Sequence, residues 1–301
     1  MPAAVKVRVP ATAANLGPGF DALGVALSMH LEIEIEPRRE GVEVMVEGEG
    51  AEELPKDATN RVIASMNRFF DEVGRRPPGC AVRVRNPIPM ASGLGSSAAA
   101  VVGGLVAARA LTGRTVAQAE MVGLATELEG HPDNVLPALL GGLVICYGDG
   151  DLRHFRVDPS ERLLPIVAVP RTKSLTVASR ALLPAEVPLA DACFTASRAA
   201  LLVGALQTGA GADVLADAMA DRLHEPARLQ ALPESEAVHR ELRSAGIPVA
   251  LAGSGPSLVA VVPQPEAAMR AEQIRRVCRL RQAGWRVFVL RWESRGATAR
   301  T

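Results

Sequence analysis

The stretch "PMASGLGSSAAAVVGGL", residues 89–105, sets two glycines and three serines against a long apolar run. Gly93 and Gly95 have no Cβ, so the backbone can turn its N–H groups inward, and a helical pattern then runs from Ser96 to Leu111. Amide donors and the helix dipole converge at such a helix N-terminus and favour an anion. The stretch predicts either a phosphate-binding loop or a plain strand-to-helix turn with a serine cap.

Two other phosphate loops can be compared with this stretch. A Walker A loop needs a lysine after its last glycine, and none follows Gly95. "GLGSSA" satisfies the relaxed dinucleotide pattern G-x-G-x-x-A, which is weak evidence alone. That fold would next need a strand ending in Asp or Glu about 20 residues later, whereas residues 116–128 have a helical pattern. A nicotinamide-binding oxidoreductase is therefore the disfavoured alternative.

Length and charge limit the classes of protein that fit. The chain has 301 residues, and because single cores stop growing at about 250–300 residues, two packed domains are expected. Its 33 basic and 33 acidic side chains cancel, which favours neither nucleic acid nor a membrane surface as partner. The longest apolar run, residues 98–108, is too short to span a bilayer, and the first residues lack the apolar core of a secretion signal. We expect a cytoplasmic protein.

Residue periodicity predicts an α+β fold. Residues 5–10 alternate as a strand, and the alternating segments 31–37 and 42–48 predict a β-hairpin. Asn15 in "AANLGPG" and Asp21 in "GFDALG" are predicted to lie on a glycine-rich loop after the first strand. Further strands are predicted at 80–89, 163–170, 256–263 and 284–292, and helices at 59–74, 96–111, 116–128, 192–208, 213–223 and 234–245. Strands mixed with helices in this way favour two layered domains that divide near residues 150–160.

The phosphate loop resembles that of the GHMP small-molecule kinases, whose pattern is P-x-x-x-G-L-G-S-S-A-A. The matching residues are Pro89, Gly93, Leu94, Gly95, Ser96, Ser97, Ala98 and Ala99. Within that family, five further segments resemble the homoserine kinases, in the same order along the chain. They are "PATAANLGPGFDALGVAL" (10–27), "LEGHPDNVLPALLGG" (128–142), "TVASRALLP" (176–184), "HEPAR" (224–228) and "LAGSGPSLVAV" (251–261).

This resemblance implies a fold and an activity. The implied fold has an N-terminal domain like ribosomal protein S5 domain 2, assigned to residues 1–155, and a ferredoxin-like C-terminal domain, assigned to residues 156–301. The implied reaction moves the γ-phosphoryl group of ATP to the hydroxyl of L-homoserine, in threonine biosynthesis. A homodimer is also implied. Other members of the family act on mevalonate-type, sugar or isoprenoid alcohols, and they are the alternative.

The resemblance also implies the substrate-binding residues. Homoserine carries a carboxylate, an ammonium and a hydroxyl, and arginine suits the carboxylate because its planar guanidinium makes paired hydrogen bonds. By the family motifs, Arg180 and Arg228 bind the carboxylate, while Asp21 and Asn15 supply acceptors for the ammonium. An asparagine at position 15 is equally expected in a turn for backbone reasons.

Asp133 and Asn134, in "HPDNV", are the implied catalytic residues. In the family the matching aspartate lies beside the accepting hydroxyl. Because phosphoryl transfer is largely dissociative and depends on alignment, we assign Asp133 to orienting the hydroxyl, with proton acceptance left open, and Asn134 to its support. A pair that follows Pro132 could also serve only as a helix cap, and His131 is expected to be structural.

The nucleotide is expected along the loop, with Mg²⁺ held by oxygen ligands. The resemblance implies Ser97 and Glu129 as metal ligands and places Asn60 beside adenine, although its N-cap position also explains an asparagine. Two features depart from some relatives: alanine replaces glycine at 91, and the spacing from Glu129 to Asp133 is short. The residues assigned to ATP along the loop are Pro89, Met90, Ala91, Ser92, Gly93, Leu94, Gly95, Ser96, Ser97, Ala98 and Ala99.

Overall fold

The computed structural model describes residues 4–75, 77–172 and 179–301. Within them, alternating valines and charged residues form the first strand of a seven-stranded sheet. Val5, Val7 and Val9 are buried, while Lys6 and Arg8 are exposed. The strands of this sheet are β1 (Val5–Asn15), β2 (Gly19–Arg38), β3 (Val42–Gly48), β4 (Gly79–Asn86), β5 (Leu143–Tyr147), β6 (Arg153–Val157) and β11 (Thr298–Arg300). Their order is β11-β1-β2-β4-β3, and β5 joins β2 to β6.

Among the described residues, four helices pack with the first sheet or with one another. They are α1 (Arg61–Glu72), α2 (Ser96–Thr112), α3 (Gln118–Glu129) and α4 (Pro132–Leu140). Asn60 caps α1 by accepting the N–H of Val62, and Gly113, with φ +62°, ends α2. The apolar residues of α2 are buried almost all round, which matches its uninterrupted alanines and valines.

The second sheet has four antiparallel strands in the order β10-β7-β9-β8. Its strands are β7 (Leu163–Val169), β8 (Val249–Leu251), β9 (Leu258–Pro263) and β10 (Arg286–Val289). The helices of this half are α5 (Leu189–Thr208), α6 (Ala212–Ala218), α7 (Glu225–Gln230), α8 (Pro233–Ser244) and α9 (Ala267–Arg279). This strand order is that of a ferredoxin-like sheet.

The two faces of the second sheet contribute to different cores. Val167 and Val261 belong to the large core shared with the first sheet, whereas Ile166 and Ala260 pack with α8 and α9 in a separate cluster. Period-two alternation along β7 and β9 therefore divides their side chains between two cores. Both sheets are largely antiparallel, which contradicts the doubly wound parallel sheet of the oxidoreductase alternative.

The predicted hairpin of residues 31–37 and 42–48 is wrong. β4 lies between β2 and β3, pairing antiparallel with β2 and parallel with β3. The α1 helix connects β3 to β4, so this segment is a β-α-β unit, and parallel neighbours require such a crossover.

Three further predictions needed correction. Asn15 and Asp21 do not lie on a long glycine-rich loop, because β1 extends to Asn15 and β2 begins at Gly19. The helix predicted over 213–223 ends at Ala218. The Asp133–Asn134 pair lies inside the first turn of α4, with His131 at the N-cap position. The strands β5, β6, β8 and β11 and the helix α7 are not among the predicted elements.

The C-terminal residues return to the first sheet, since β11 pairs antiparallel with β1. β6, which spans residue 155, pairs with β5 in the same sheet. The domain boundary at residue 155 stays a prediction.

Within the described residues, α5 alone is both long and apolar enough to cross a bilayer. Leu202, Ala205 and Leu206 of this helix are buried in the core, and core helices of soluble proteins meet the same criteria.

Candidate active site

The loop of residues 91–97 ends at the N-terminus of α2 and leaves that terminus free of side-chain capping. Gly95 is the N-cap residue with φ +68°, and it offers no side chain to the first-turn amides. A Cβ at Gly95 would lie 2.0 Å from Thr12 Oγ1, so only glycine fits there. The serine cap of the alternative is absent from the described residues, and the N–H groups of the first turn are available to an anion; phosphate binding there stays a prediction.

The loop is supported from below by the segment 252–257. A Cβ at Gly93 would lie 1.9 Å from the carbonyl oxygen of Ala252, and the Ser257 N–H donates to the Ser92 carbonyl at 3.2 Å. Ser92 Oγ in turn donates to the Pro89 carbonyl at 2.7 Å. Ser92 and Leu94 are buried, so their side chains hold the loop in shape and leave its backbone to the ligand.

Ser97 and Glu129, the predicted metal ligands, are in direct contact. Ser97 Oγ donates to Glu129 Oε2 at 2.8 Å, and Arg61 Nη2 donates to the same oxygen at 2.7 Å. A hydroxyl and a carboxylate are oxygen donors of the kind that Mg²⁺ prefers, and Mg²⁺ commonly takes only one or two protein ligands. No cluster of three or more His, Cys, Asp or Glu side chains suited to a metal occurs among the described residues. The pair fits Mg²⁺ that is otherwise held by phosphate and water.

An apolar cavity of about 220 Å³ adjoins the loop and suits a base. Its lining includes Val46, Leu54, Met90 and Asn60. The Asn60 side chain is used locally: Oδ1 accepts the Val62 N–H at 3.0 Å, and Nδ2 donates to the Pro55 carbonyl at 2.7 Å. The N-cap role of Asn60 is therefore present, and its contact with adenine stays a prediction.

Asp133 is buried beside the loop in a set of hydrogen bonds. His131 Nδ1 donates to Asp133 Oδ1 at 2.8 Å, and this bond is the main reason that the pKa of His131 is raised above its usual value. Asn134 Oδ1 accepts from Thr12 Oγ1 at 2.7 Å, which connects α4 to β1. A Cβ at Gly24 would lie 1.7 Å from the Asp133 carbonyl, so β2 and α4 approach as closely as glycine allows.

Asp21 and Arg180 meet at the mouth of the cleft. Arg180 Nη2 donates to both carboxylate oxygens of Asp21, at 2.7 and 2.6 Å. The Arg180 guanidinium also lies 5.6 Å from the centre of the Phe20 ring. The Arg180 side chain is 55 % exposed, so this ion pair is open to solvent and to exchange with a charged ligand.

Arg228 is the buried counterpart of Arg180. Its Nη1 donates to the Gly253 carbonyl at 3.2 Å and to His224 Nδ1 at 3.1 Å. Its Nε is buried and has no hydrogen-bond partner among the described residues. Burial lowers the pKa of Arg228, yet a guanidinium stays charged. A buried cation with an unused N–H at the cleft is suited to an anionic group.

Asn15 is held between two neighbours. Its Oδ1 accepts the Asp21 N–H at 3.1 Å, and its Nδ2 donates to the Gly253 carbonyl at 2.9 Å. Asn15, Leu16, Asp21 and Ala91 have φ between +50° and +69°, and they are the four non-glycine residues with positive φ in the described chain. All four lie in or next to the cleft segments, and such backbone strain is typical of functional sites.

The predicted residues gather in two adjoining cavities. A cavity of about 120 Å³ is lined by the substrate, catalytic and metal candidates and by most of the loop, and the 220 Å³ cavity by Asn60 and Met90. Ala98 and Ala99 line neither and are wholly buried under the loop. A larger groove of about 740 Å³ lies near β11, and none of the predicted residues lines it.

The sequence reasoning missed several residues of the site. Thr12 and Arg61 hold predicted residues in place. Thr12, Phe20 and His224 lie within motifs that are recognised for neighbouring residues, and Arg61 directly follows Asn60. Thr176 to Ala178, the start of the predicted Arg180 motif, lie outside the described residues.

Comparisons with known proteins identify relatives of both halves. The family model "GHMP kinases N terminal domain" matches residues 60–142, and "GHMP kinases C terminal" matches residues 202–280. The homoserine kinase of Streptomyces avermitilis is 42% identical over 300 residues, covering 98% of this chain and 95% of that protein. The homoserine kinase of Streptomyces coelicolor is 45% identical over 263 residues, covering 86% of this chain and 84% of that protein.

Solved structures give the same relationship. A crystal structure of homoserine kinase from Cytophaga hutchinsonii superposes with a TM-score of 0.88 at 28% identity, covering 99% of this chain and 97% of that one. A mevalonate kinase from L. major has a TM-score of 0.71 at 18% identity, covering 97% of each chain, and it shows the shared fold alone.

Proposed function

This chain belongs to the GHMP kinase family, and from that premise we propose that it transfers the γ-phosphoryl group of ATP to the side-chain hydroxyl of L-homoserine. The product is O-phospho-L-homoserine, a step in threonine biosynthesis. The observation that carries the proposal is one small cavity in which two arginines and Asp21 line the same space as the phosphate loop and Asp133.

The charges of this cavity suit a zwitterion. Arg228, with its unused Nε–H, and Arg180 are assigned to the carboxylate, and Asp21 to the ammonium. A neutral polyol would leave the buried Arg228 cation without an anionic partner and Arg180 paired only with Asp21, whereas homoserine supplies one charge of each sign. The volume of about 120 Å³ is well below the ~300–1,000 Å³ of sites for larger ligands, which favours a short substrate. Asn15, assigned with Asp21 to the ammonium, also supports Asp21 by accepting the Asp21 backbone N–H at its Oδ1.

The reaction depends on positioning. Asp133, fixed by His131, is assigned to orienting the homoserine hydroxyl, and it can accept the proton as the phosphoryl group arrives. Asn134, held by Thr12, supports Asp133. The first-turn amides of α2 hold the phosphates and the adjoining cavity holds adenine.

Ser97 and Glu129 are assigned to Mg²⁺ on the nucleotide. The ion supplies charge neutralisation of the phosphate oxygens when it is bound. Arg61 would remain beside Glu129 and keep that carboxylate facing Ser97. A cytoplasmic location and a homodimer also belong to this proposal.

A coupled assay of ADP release tests the function across homoserine, 3-aminopropan-1-ol, mevalonate, galactose and glycerol. We expect homoserine to be preferred, because it alone matches both charges of the cavity. Arg180→Ala and Arg228→Ala should each raise the KM for homoserine, by about tenfold to a hundredfold for the loss of a charged hydrogen bond. The KM for ATP should change little.

Arg275→Ala, at a partly exposed arginine of α9, is the matched control and should behave like the wild type. Preference for mevalonate or a sugar would reassign the chain to another substrate class of the family. An unchanged KM for homoserine in both arginine variants would contradict the assignment.

A further inference from the structure

His224 connects the turn between β1 and β2 to the buried arginine of the cleft. It has no exposed surface and occupies the N-cap position of α7. Its Nε2 lies 2.7 Å from the Gly17 carbonyl oxygen, and its Nδ1 lies 3.1 Å from Arg228 Nη1. One imidazole thus touches both the first half of the chain and the residue assigned to the substrate carboxylate.

These two partners fix the protonation state of the ring. The Gly17 carbonyl can only accept, so Nε2 carries the hydrogen, and the Arg228 guanidinium can only donate, so Nδ1 is the acceptor. Burial lowers the pKa of His224, in agreement with a neutral ring, although Asp221 lies 3.7 Å from Nε2. The ring is therefore a neutral acceptor for Arg228.

The ring is also locked in place from its other sides. It stacks on Phe20 with ring centroids 5.2 Å apart and planes inclined by 28°. Asp221 accepts the backbone N–H groups of His224 at 2.8 Å and of Glu225 at 2.9 Å, which fixes the start of α7. The Arg228 guanidinium lies 5.2 Å from the centre of the Phe20 ring as well. Phe20 is thus shared between the imidazole and the arginine.

We propose that His224 is a positioning residue for carboxylate recognition: its Nδ1 and the Gly253 carbonyl orient the Arg228 guanidinium so that its remaining N–H groups face the substrate. This inference rests on the proposed function. Each of those two acceptors takes a hydrogen bond from Nη1. With Nη1 occupied, the other N–H groups of the guanidinium are left for the ligand, and rotation of the guanidinium is opposed by Phe20. The acceptor at Nδ1, more than the bulk of the ring, is the decisive feature.

Two replacements separate the two ends of the ring. In His224→Asn the amide oxygen can take the place of Nδ1 and accept from Arg228. In His224→Gln the longer amide can take the place of Nε2 and donate to Gly17. We expect His224→Ala to raise the KM for homoserine about tenfold or more while the KM for ATP is unchanged. His224→Asn should restore most of the homoserine KM, and His224→Gln should not.

A double-mutant cycle with Arg228→Ala distinguishes positioning from general support. If His224 acts through Arg228, then His224→Ala in the Arg228→Ala background should leave kcat/KM for homoserine unchanged. Additive losses would overturn the inference, as would a His224→Gln variant that matches His224→Asn. Circular dichroism and thermal unfolding verify that each variant folds. If His224→Ala does not fold, His224→Gln, which lacks the acceptor at Nδ1, takes its place in the cycle, and His224→Asn is its matched comparison.

His154→Asn, a histidine of β6 outside both cleft cavities, is the control and should keep wild-type kinetics. A wild-type enzyme that does not phosphorylate homoserine would overturn the proposed function and this inference together. A wild-type enzyme that does so, with His224→Ala unchanged in KM, would overturn this inference alone.

Discussion

Ala91, at the start of the phosphate loop, holds a backbone conformation that suits glycine. Its φ is +50°, in the left-handed region. That conformation costs a non-glycine residue about 1–2 kcal/mol, while glycine's extra freedom in the unfolded chain costs about 0.5–1 kcal/mol. We therefore expect Ala91→Gly to increase the free energy of unfolding by about 0.5–1 kcal/mol, measured by urea denaturation.

Gly95→Ala is the reverse substitution, which places alanine where the loop already has a glycine with positive φ. Its φ is +68°, and an added Cβ would collide with Thr12. This variant should be less stable than the wild type and should bind ATP more weakly. An Ala91→Gly protein that is no more stable than the wild type would show that the strain at residue 91 is relieved elsewhere.

Single residues were predictable from sequence where a motif fixed both their type and their spacing. Ser97, Glu129 and Asp133 were named in this way and lie together. Thr12 could not be found, because its contact with Asn134 joins residues 122 positions apart. Such a contact depends on how β1 and α4 pack, and a local pattern contains no record of it.

At the scale of elements, alternation identified strands but not their partners. Residues 31–37 and 42–48 are both strands, yet β4 separates them in the sheet. Period-two patterning specifies which face of a strand is buried and says nothing of its neighbour. The helix predicted between β3 and β4 was the available signal, since a strand, a helix and a strand in sequence favour a parallel crossover.

The helix α7, which carries Arg228, is tied to β8 by a buried carboxyl group. Glu225 Oε1 accepts the Leu251 N–H at 2.5 Å, and burial raises the pKa of Glu225 to about 8. His239 lies 3.8 Å away, and burial lowers its pKa to about 4, so the two form a neutral pair at pH 7.

This carboxyl group makes stability depend on pH. The pKa of Glu225 is about 8 in the folded protein and 4.5 for an ordinary glutamate, the value taken for the unfolded chain. Between those pH values the folded state therefore binds more protons than the unfolded state. The Glu225 contribution to the free energy of unfolding should therefore fall as pH rises from about 4.5 to about 8. Glu225→Gln keeps the acceptor for Leu251 without ionising, so its stability relative to wild type should grow across that window.

Urea denaturation of the two proteins at several pH values measures this difference. Glu236→Gln, at a partly exposed glutamate of α8, is the control and should show no such trend. A difference between Glu225→Gln and wild type that stays constant from pH 5 to pH 8 would contradict a raised pKa at Glu225.

At the scale of the whole molecule, the segment after β10 joins the second sheet to the first. The Glu293 N–H donates to the Ala26 carbonyl at 3.0 Å, and the Ala297 N–H donates to the Ala138 carbonyl at 2.8 Å, before β11 pairs with β1. The shared core contains residues of both sheets. We infer that the two halves unfold together, which composition and periodicity could not indicate, because the return of the chain depends on tertiary packing.

Gly296 lies in the segment between β10 and β11, packed tightly against α4, and a substitution there tests whether the two halves unfold together. A Cβ there would lie 2.0 Å from the Leu139 carbonyl oxygen, at the end of α4 opposite Asp133. Gly296→Ala should lower the free energy of unfolding by about 1–3 kcal/mol, as overpacking does, and should reduce kcat through a shift of α4. Calorimetry should show one transition for wild type and variant.

Gly123→Ala, in α3 with open space around it, is the control and should be neutral or stabilising because alanine favours helix. Two separate transitions, or a Gly296→Ala protein as stable as the wild type, would mean that the returning segment is not coupled to the catalytic helix.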